Sequence, residues 1–167
     1  MKNTIKVFAM ISIFSVIAFT GCKKDETQPD EPAPSPVVYT NFKITNVKIT
    51  AMPFVDGSSA SWDISNGPDV FFNMEDASSN VLFDGSGSTY NDISAGSLPL
   101  AWNFVTAYAI TNTGVFHNVT VYDYDSLDPD DLIGYVEFKM DDHKSGYPTS
   151  ISKSNGSLSV TITGSWY

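Results

Sequence analysis

Residues 119–138 read V-T-V-Y-D-Y-D-S-L-D-P-D-D-L-I-G-Y-V-E-F. Val119-Thr120-Val121-Tyr122 alternates in period two with β-branched and aromatic side chains, the pattern of a half-buried strand. That strand runs directly into Asp123 and Asp125. A loop carrying Asp128, Asp130 and Asp131 follows, and the chain re-enters a strand at Leu132-Ile133-Gly134. Five carboxylates thus fall within nine residues. At ~4 Å and an effective dielectric near 20, each like-charge pair costs about 4 kcal/mol. A hard cation relieves that repulsion, and calcium, with six to eight oxygen ligands and tolerance of irregular geometry, suits a loop better than magnesium does. Asp-rich loops are also common as plain solvated turns, and Asp-Pro-Asp-Asp is good turn chemistry; Asp130 reads as such a turn residue.

Working outward, the same two-residue period or a short β-branched run recurs from Phe42 to Pro53, at Val70–Met74, Val81–Phe83, Leu98–Tyr108, Val115–Tyr122, Leu132–Met140 and Leu158–Trp166. Gly, Ser, Asn and Asp clusters separate these runs, as in Asp84-Gly85-Ser86-Gly87-Ser88. No window beyond the first 21 residues carries an apolar period of 3.6. The expected fold is therefore all-β, an antiparallel β-sandwich of seven to eight strands.

An EF-hand does not fit the aspartate loop. Counted from Asp123, its required glycine and glutamate positions hold Asp128 and Gly134, and no helix flanks them. The pattern V-x-D-x-D-x5-D-x-I-G at a strand–loop–strand junction instead resembles the third calcium loop of C2 domains, the calcium-binding β-sandwich family. Asp63 and Asp69, six residues apart before Val70-Phe71-Phe72, resemble that family's first calcium loop, although Pro68 precedes the second aspartate where the family has a proline after it. Leu98-Pro99-Leu100-Ala101-Trp102-Asn103 is similar to the family's N-P-x-W-N strand opening. The resemblance spans Phe42 to Met140. It implies Ca²⁺ held by Asp63, Asp69, Asp123, Asp125 and Asp131, with Asp128 as an accessory ligand and Ile64 and Leu127 as loop-tip contacts. One strand before Asp63 and one after the last aspartate loop point to the circularly permuted C2-like strand order.

The N-terminus sets the compartment. Lys2 and Lys6 precede a 13-residue apolar run, Val7 to Phe19, broken only by Ser12 and Ser15. Such a run is a signal-peptide core, short of the roughly 20 residues that span a bilayer. It ends in Phe19-Thr20-Gly21-Cys22, which resembles a bacterial lipobox. That resemblance implies removal of residues 1–21 and lipidation of Cys22 by acyl chains such as palmitate, which anchor without crossing. Lys23-Lys24-Asp25-Glu26 is similar to the charged signal of surface-displayed lipoproteins in the Bacteroidota, so the expected location is the outer membrane, facing outward. Residues 22–38, rich in proline and acid, read as a flexible tether, leaving residues 39–167 as the sandwich.

Nine bases face 19 acids in the whole chain; Lys2 and Lys6 fall in the leader and no acid does, so residues 22–167 carry seven bases and a net charge of −12. There is no arginine, which argues against nucleic acid as a partner. Cys22 is the single cysteine, so no disulfide supports the fold. His117 and His143 have no metal or nucleophile motif beside them, no serine sits in a G-x-S-x-G elbow, and Glu75–Asp76 and Asp141–Asp142 make an acid pair only if a cleft gathers them. Asp125-Ser126-Leu127 resembles a short O-glycosylation motif. No step of the reading calls for catalysis. The sequence is best read as a membrane-anchored calcium module that binds a protein, glycan or phospholipid through its loops. A calcium-stiffened scaffold subunit is the first alternative, and a carbohydrate-binding module stacking sugars on Trp62, Trp102 or Trp166 the second.

Overall fold

The described residues form eight strands, most of them by apolar alternation: β1 Phe42–Ala51, β2 Val70–Asp76, β3 Val81–Asp84, β4 Leu100–Ile110, β5 His117–Asp123, β6 Asp131–Phe138, β7 Ser150–Asn155 and β8 Leu158–Trp166. They come from a computed structural model that describes residues 35–62 and 66–167, within which Val37–Tyr167 forms one compact unit. Cys22, Asp63 and Ile64 lie outside the described residues. The strands make two four-stranded sheets, in the orders β4-β1-β8-β7 and β3-β2-β5-β6. Every pairing is antiparallel. The fold is an all-β sandwich. Among the described residues one strand precedes the first aspartate segment, as the sequence suggests, whereas two, β7 and β8, follow β6 where the sequence shows only the second.

Period two shows directly in burial. Leu158, Val160, Ile162 and Trp166 of β8 point inward, as do Val70, Phe72 and Met74 of β2 and Val119 and Val121 of β5. Each such side chain contributes about 1.5–3 kcal/mol by leaving water. β1 changes phase part-way: Phe42 and Ile44 are buried, then Val47 and Ile49. A register shift between Ile44 and Asn46 against both neighbours produces that change, since one extra residue turns the next side chains to the other face.

Two features position the sites. β1 opens beside Tyr167: the amides of Thr40 and Asn41 donate to the Tyr167 carbonyl at 3.4 and 3.2 Å, and the Tyr167 amide returns one to Asn41 at 3.1 Å. β1 closes near the start of β4, with Ile49 opposite Leu100, and there Tyr90 bridges the sheets by pairing with Val70 and donating its hydroxyl to the Ala101 carbonyl at 2.8 Å. Chain entry and the start of β2 are therefore at opposite poles. The long edges also differ. At β6 and β7 the sheets meet, with Asn155 Nδ2 donating to the Tyr135 carbonyl at 3.1 Å. At β3 and β4 they stand apart around a cleft of about 670 Å³. Part of β4 arches away there: Asn103 pairs with Asn46 and Tyr108 with Ile44, so residues 104–107 have no partner in β1 and the Val105 side chain is fully exposed.

Candidate functional site

Asp123 is the last residue of β5 and falls on the inward face by the same alternation that buries Val119 and Val121. It is 1% exposed. β5 lies between β2 and β6, with Asp123 opposite Asp131 and beside Val70, the residue after Asp69. Three aspartates thus sit on adjacent strand ends, about 4.8 Å apart in the pairing direction. The Asp69 amide donates to Asp123 Oδ1 at 2.6 Å, and the Tyr124 amide donates to the Asp69 carbonyl at 2.7 Å. Asp69 Oδ1 in turn accepts the Asp92 amide at 2.7 Å. Asn66 is hydrogen-bonded through its side-chain amide to the Asp92 carboxylate. Gly67 is required at its position because a Cβ there would meet the Ile93 carbonyl oxygen at 1.7 Å.

Beyond β5 the loop protrudes. Asp125 is half-buried, and its amide donates to Asp130 Oδ1 at 3.1 Å. Asp128 is exposed and Leu127, 94% exposed, forms the tip. Asp131 is exposed at the start of β6. The structure therefore brings Asp69, Asp123, Asp125 and Asp131 to one pole and leaves Asp128 on the outer loop. Among the described residues no three Asp, Glu, His or Cys side chains converge closely enough to hold a metal ion; Asp63, the remaining expected ligand, falls outside them. Two participants were not foreseen. Asp130 pins the loop at Asp125 as well as facing solvent, and Asp92 orients Asp69. Asp92 has a left-handed backbone, φ 53°, and lies in a polar turn whose contact with Asp69 depends on tertiary placement alone.

The other acids diverge. Adjacent strand residues face opposite ways, so Glu75 is buried on the outer face of its sheet, accepting the Thr120 hydroxyl at 2.8 Å and the Tyr122 hydroxyl at 3.1 Å. Burial and the Glu75 carboxylate hold the Tyr122 phenol above its ordinary range. Asp76 instead caps a turn, accepting the amides of Ser78 and Asn80. Asp141 and Asp142 are paired separately, with Lys144 at 2.7 Å and Lys139 at 3.2 Å. The tryptophans are built into the domain: Trp102 and Trp166 are buried and all three indole N–H groups donate to backbone carbonyls, of Pro53, Ser88 and Pro148. Neither Trp102 nor Trp166 offers an open face for stacking.

No protein-family model matches the chain, and no curated protein does. Among solved structures it is similar to human GIVD cytosolic phospholipase A2 in complex with methyl γ-linolenyl fluorophosphonate inhibitor and terbium chloride. Identity is 17% and the TM-score 0.46, over 78% of this chain and 18% of that one.

Proposed function

We propose that the chain is a lipoprotein, anchored through Cys22, whose sandwich is a C2-type calcium module that engages a partner through its aspartate loops. The observation that carries the reading is the gathering of Asp69, Asp123, Asp125 and Asp131 at one pole, with Asp123 buried at the end of an apolar strand. The Asp69 amide compensates part of the cost of keeping the Asp123 carboxylate from water, and a shared cation would offset its repulsion by the neighbouring carboxylates. All the donors are hard oxygens, the set calcium prefers. In this reading Asp63 is the first loop's other carboxylate ligand, Asp128 an accessory ligand, and Leu127 the tip that meets the partner.

Extracellular calcium modules bind with dissociation constants of about 10⁻⁴–10⁻³ M. At ten times that concentration mass action stabilises the fold by roughly 1.4 kcal/mol, a melting shift of about 5 °C for a domain of this size. Thermal melts of the full chain in neutral detergent, in millimolar calcium against EGTA, are the test. The shift should vanish when Asp123→Asn and Asp125→Asn are combined. Superimposable wild-type curves would remove calcium from the reading.

A further inference from the structure

The open edge between β3 and β4 carries chemistry unrelated to the aspartate pole. Its cleft of about 670 Å³ is walled by Phe83, Tyr90, Trp102 and Phe104, within the size range of pockets that hold small organic ligands. Among these rings Tyr90 is exposed and Phe83 and Phe104 are half-buried. They are held in place. Trp102 Nε1 donates to the Ser88 carbonyl at 2.7 Å, Tyr90 meets Trp102 edge-on at 4.9 Å, and Phe83 lies 4.7 Å from Phe104. Between the rings the lining is hydroxyl, amide and one carboxylate: Ser88, Thr89, Asn103, Thr106 and Asp84. The Ser86 side chain and amide hold the Asp84 carboxyl below its ordinary range, so it stays an acceptor.

We propose that this cleft binds a short, uncharged oligosaccharide, with the rings of Tyr90 and Phe104 against sugar faces and Asp84, Thr89 and Asn103 on its hydroxyls. Other ligand classes fit the lining less well. It contains no lysine or arginine, so phosphate and sulfate groups find no counter-charge. An acyl chain would strip water from Asp84 and four neutral polar side chains without replacing their hydrogen bonds. A peptide adding as a further strand needs a straight, free edge. β3 has four residues and β4 arches at residues 104–107, two devices that blunt edges against strand addition. Fixed rings spare the ordering cost of binding.

The full chain in neutral detergent is run through native gels containing starch, xyloglucan, galactomannan or mixed-linkage β-glucan, with dextran sulfate as the charged comparison, all in EGTA. Because calcium is absent throughout, the result stands apart from the melting test above. At least one neutral polysaccharide should retard the protein, and Tyr90→Ala should weaken that retardation at least tenfold. Gly87 lines the cleft and has nothing within 4 Å of an added Cβ, so Gly87→Trp should fill it and abolish retardation with the melting temperature unchanged. Unretarded migration in every neutral gel, retardation that survives Gly87→Trp at unchanged melting temperature, or retardation by dextran sulfate alone overturns the proposal. So does Gly87→Trp-sensitive capture of unstructured peptides with no polysaccharide binding.

Discussion

Asp123 has a structural task that needs no metal, because its Oδ1 accepts the Asp69 amide at 2.6 Å inside the sandwich edge. Removing the acceptor strands a donor in a part-buried site, worth about 1–3 kcal/mol, whereas an amide oxygen can replace it. In EGTA, Asp123→Ala should therefore lose about 1–3 kcal/mol in urea denaturation and Asp123→Asn less than half of that. Equal losses would mean the contact does not hold the two strand ends together. His117 gives a second prediction at this scale. It is 6% exposed and lies against Phe138 at 5.6 Å, and burial pushes its pKa below 6.5 despite a backbone hydrogen bond with Val115 and the Asp76 charge. His143 is lowered as well, by burial and by Lys153. Between 6.5 and the lower folded values the unfolded chain binds more protons, so stability falls as pH drops through that window. Urea midpoints should decline from pH 7.5 to 5.5, and His117→Phe, which keeps a ring on Phe138, should flatten the decline. The Asp123–Asp125 loop was legible because its period-two strand runs straight into acids. The bond from Asp92 was not, since a lone amide in a polar turn leaves no mark in the sequence.

Strands with strict alternation, β5 and β8 above all, could be read from the sequence. β7 could not. Of Ser150-Ile151-Ser152-Lys153-Ser154-Asn155 only Ile151 enters the core, and the outer face is a row of hydroxyl pairs, Ser150–Thr163, Ser152–Thr161 and Ser154–Ser159. What makes this segment a strand is the free edge of β8, a demand expressed elsewhere in the chain. The arch in β4 was hidden for a related reason: Phe104-Val105-Thr106-Ala107 reads as ordinary strand, and its departure shows only in the pairing, where these four residues stand against the single Thr45 of β1. Near the same shift, Gly164 lets β8 approach β1. A Cβ there would lie 2.0 Å from the Lys43 carbonyl oxygen and 2.7 Å from the Phe42 ring. Backbone cannot yield as a side chain tip can, so Gly164→Ala should destabilise by about 3 kcal/mol, measured as a lower urea midpoint. An unchanged midpoint would mean the β1–β8 pairing is slack at that end.

Over the whole molecule, charge decides which partners are reachable. The net of −12 for residues 22–167 falls only to −8 with two bound calcium ions, and an anionic bilayer repels a body of that sign. Leu127 offers little apolar area to offset it. Sedimentation with anionic vesicles in millimolar calcium at physiological salt should therefore carry down little of the chain beyond what EGTA samples show. Strong binding that EGTA reverses, and that Leu127→Ser removes, would instead make lipid docking the loops' function. The chain enters its sandwich beside Tyr167, at the pole away from the aspartates, and β1 spans the ten residues between the poles, about 33 Å at strand rise. In the proposed lipoprotein, any pull between the tether of residues 22–38 and a partner held at the aspartate loops is thus directed along β1. That strand is flanked by β4 and β8 on its two sides, so the load falls in shear across both rows of rungs together instead of unzipping them singly, a mechanical orientation that resists rupture.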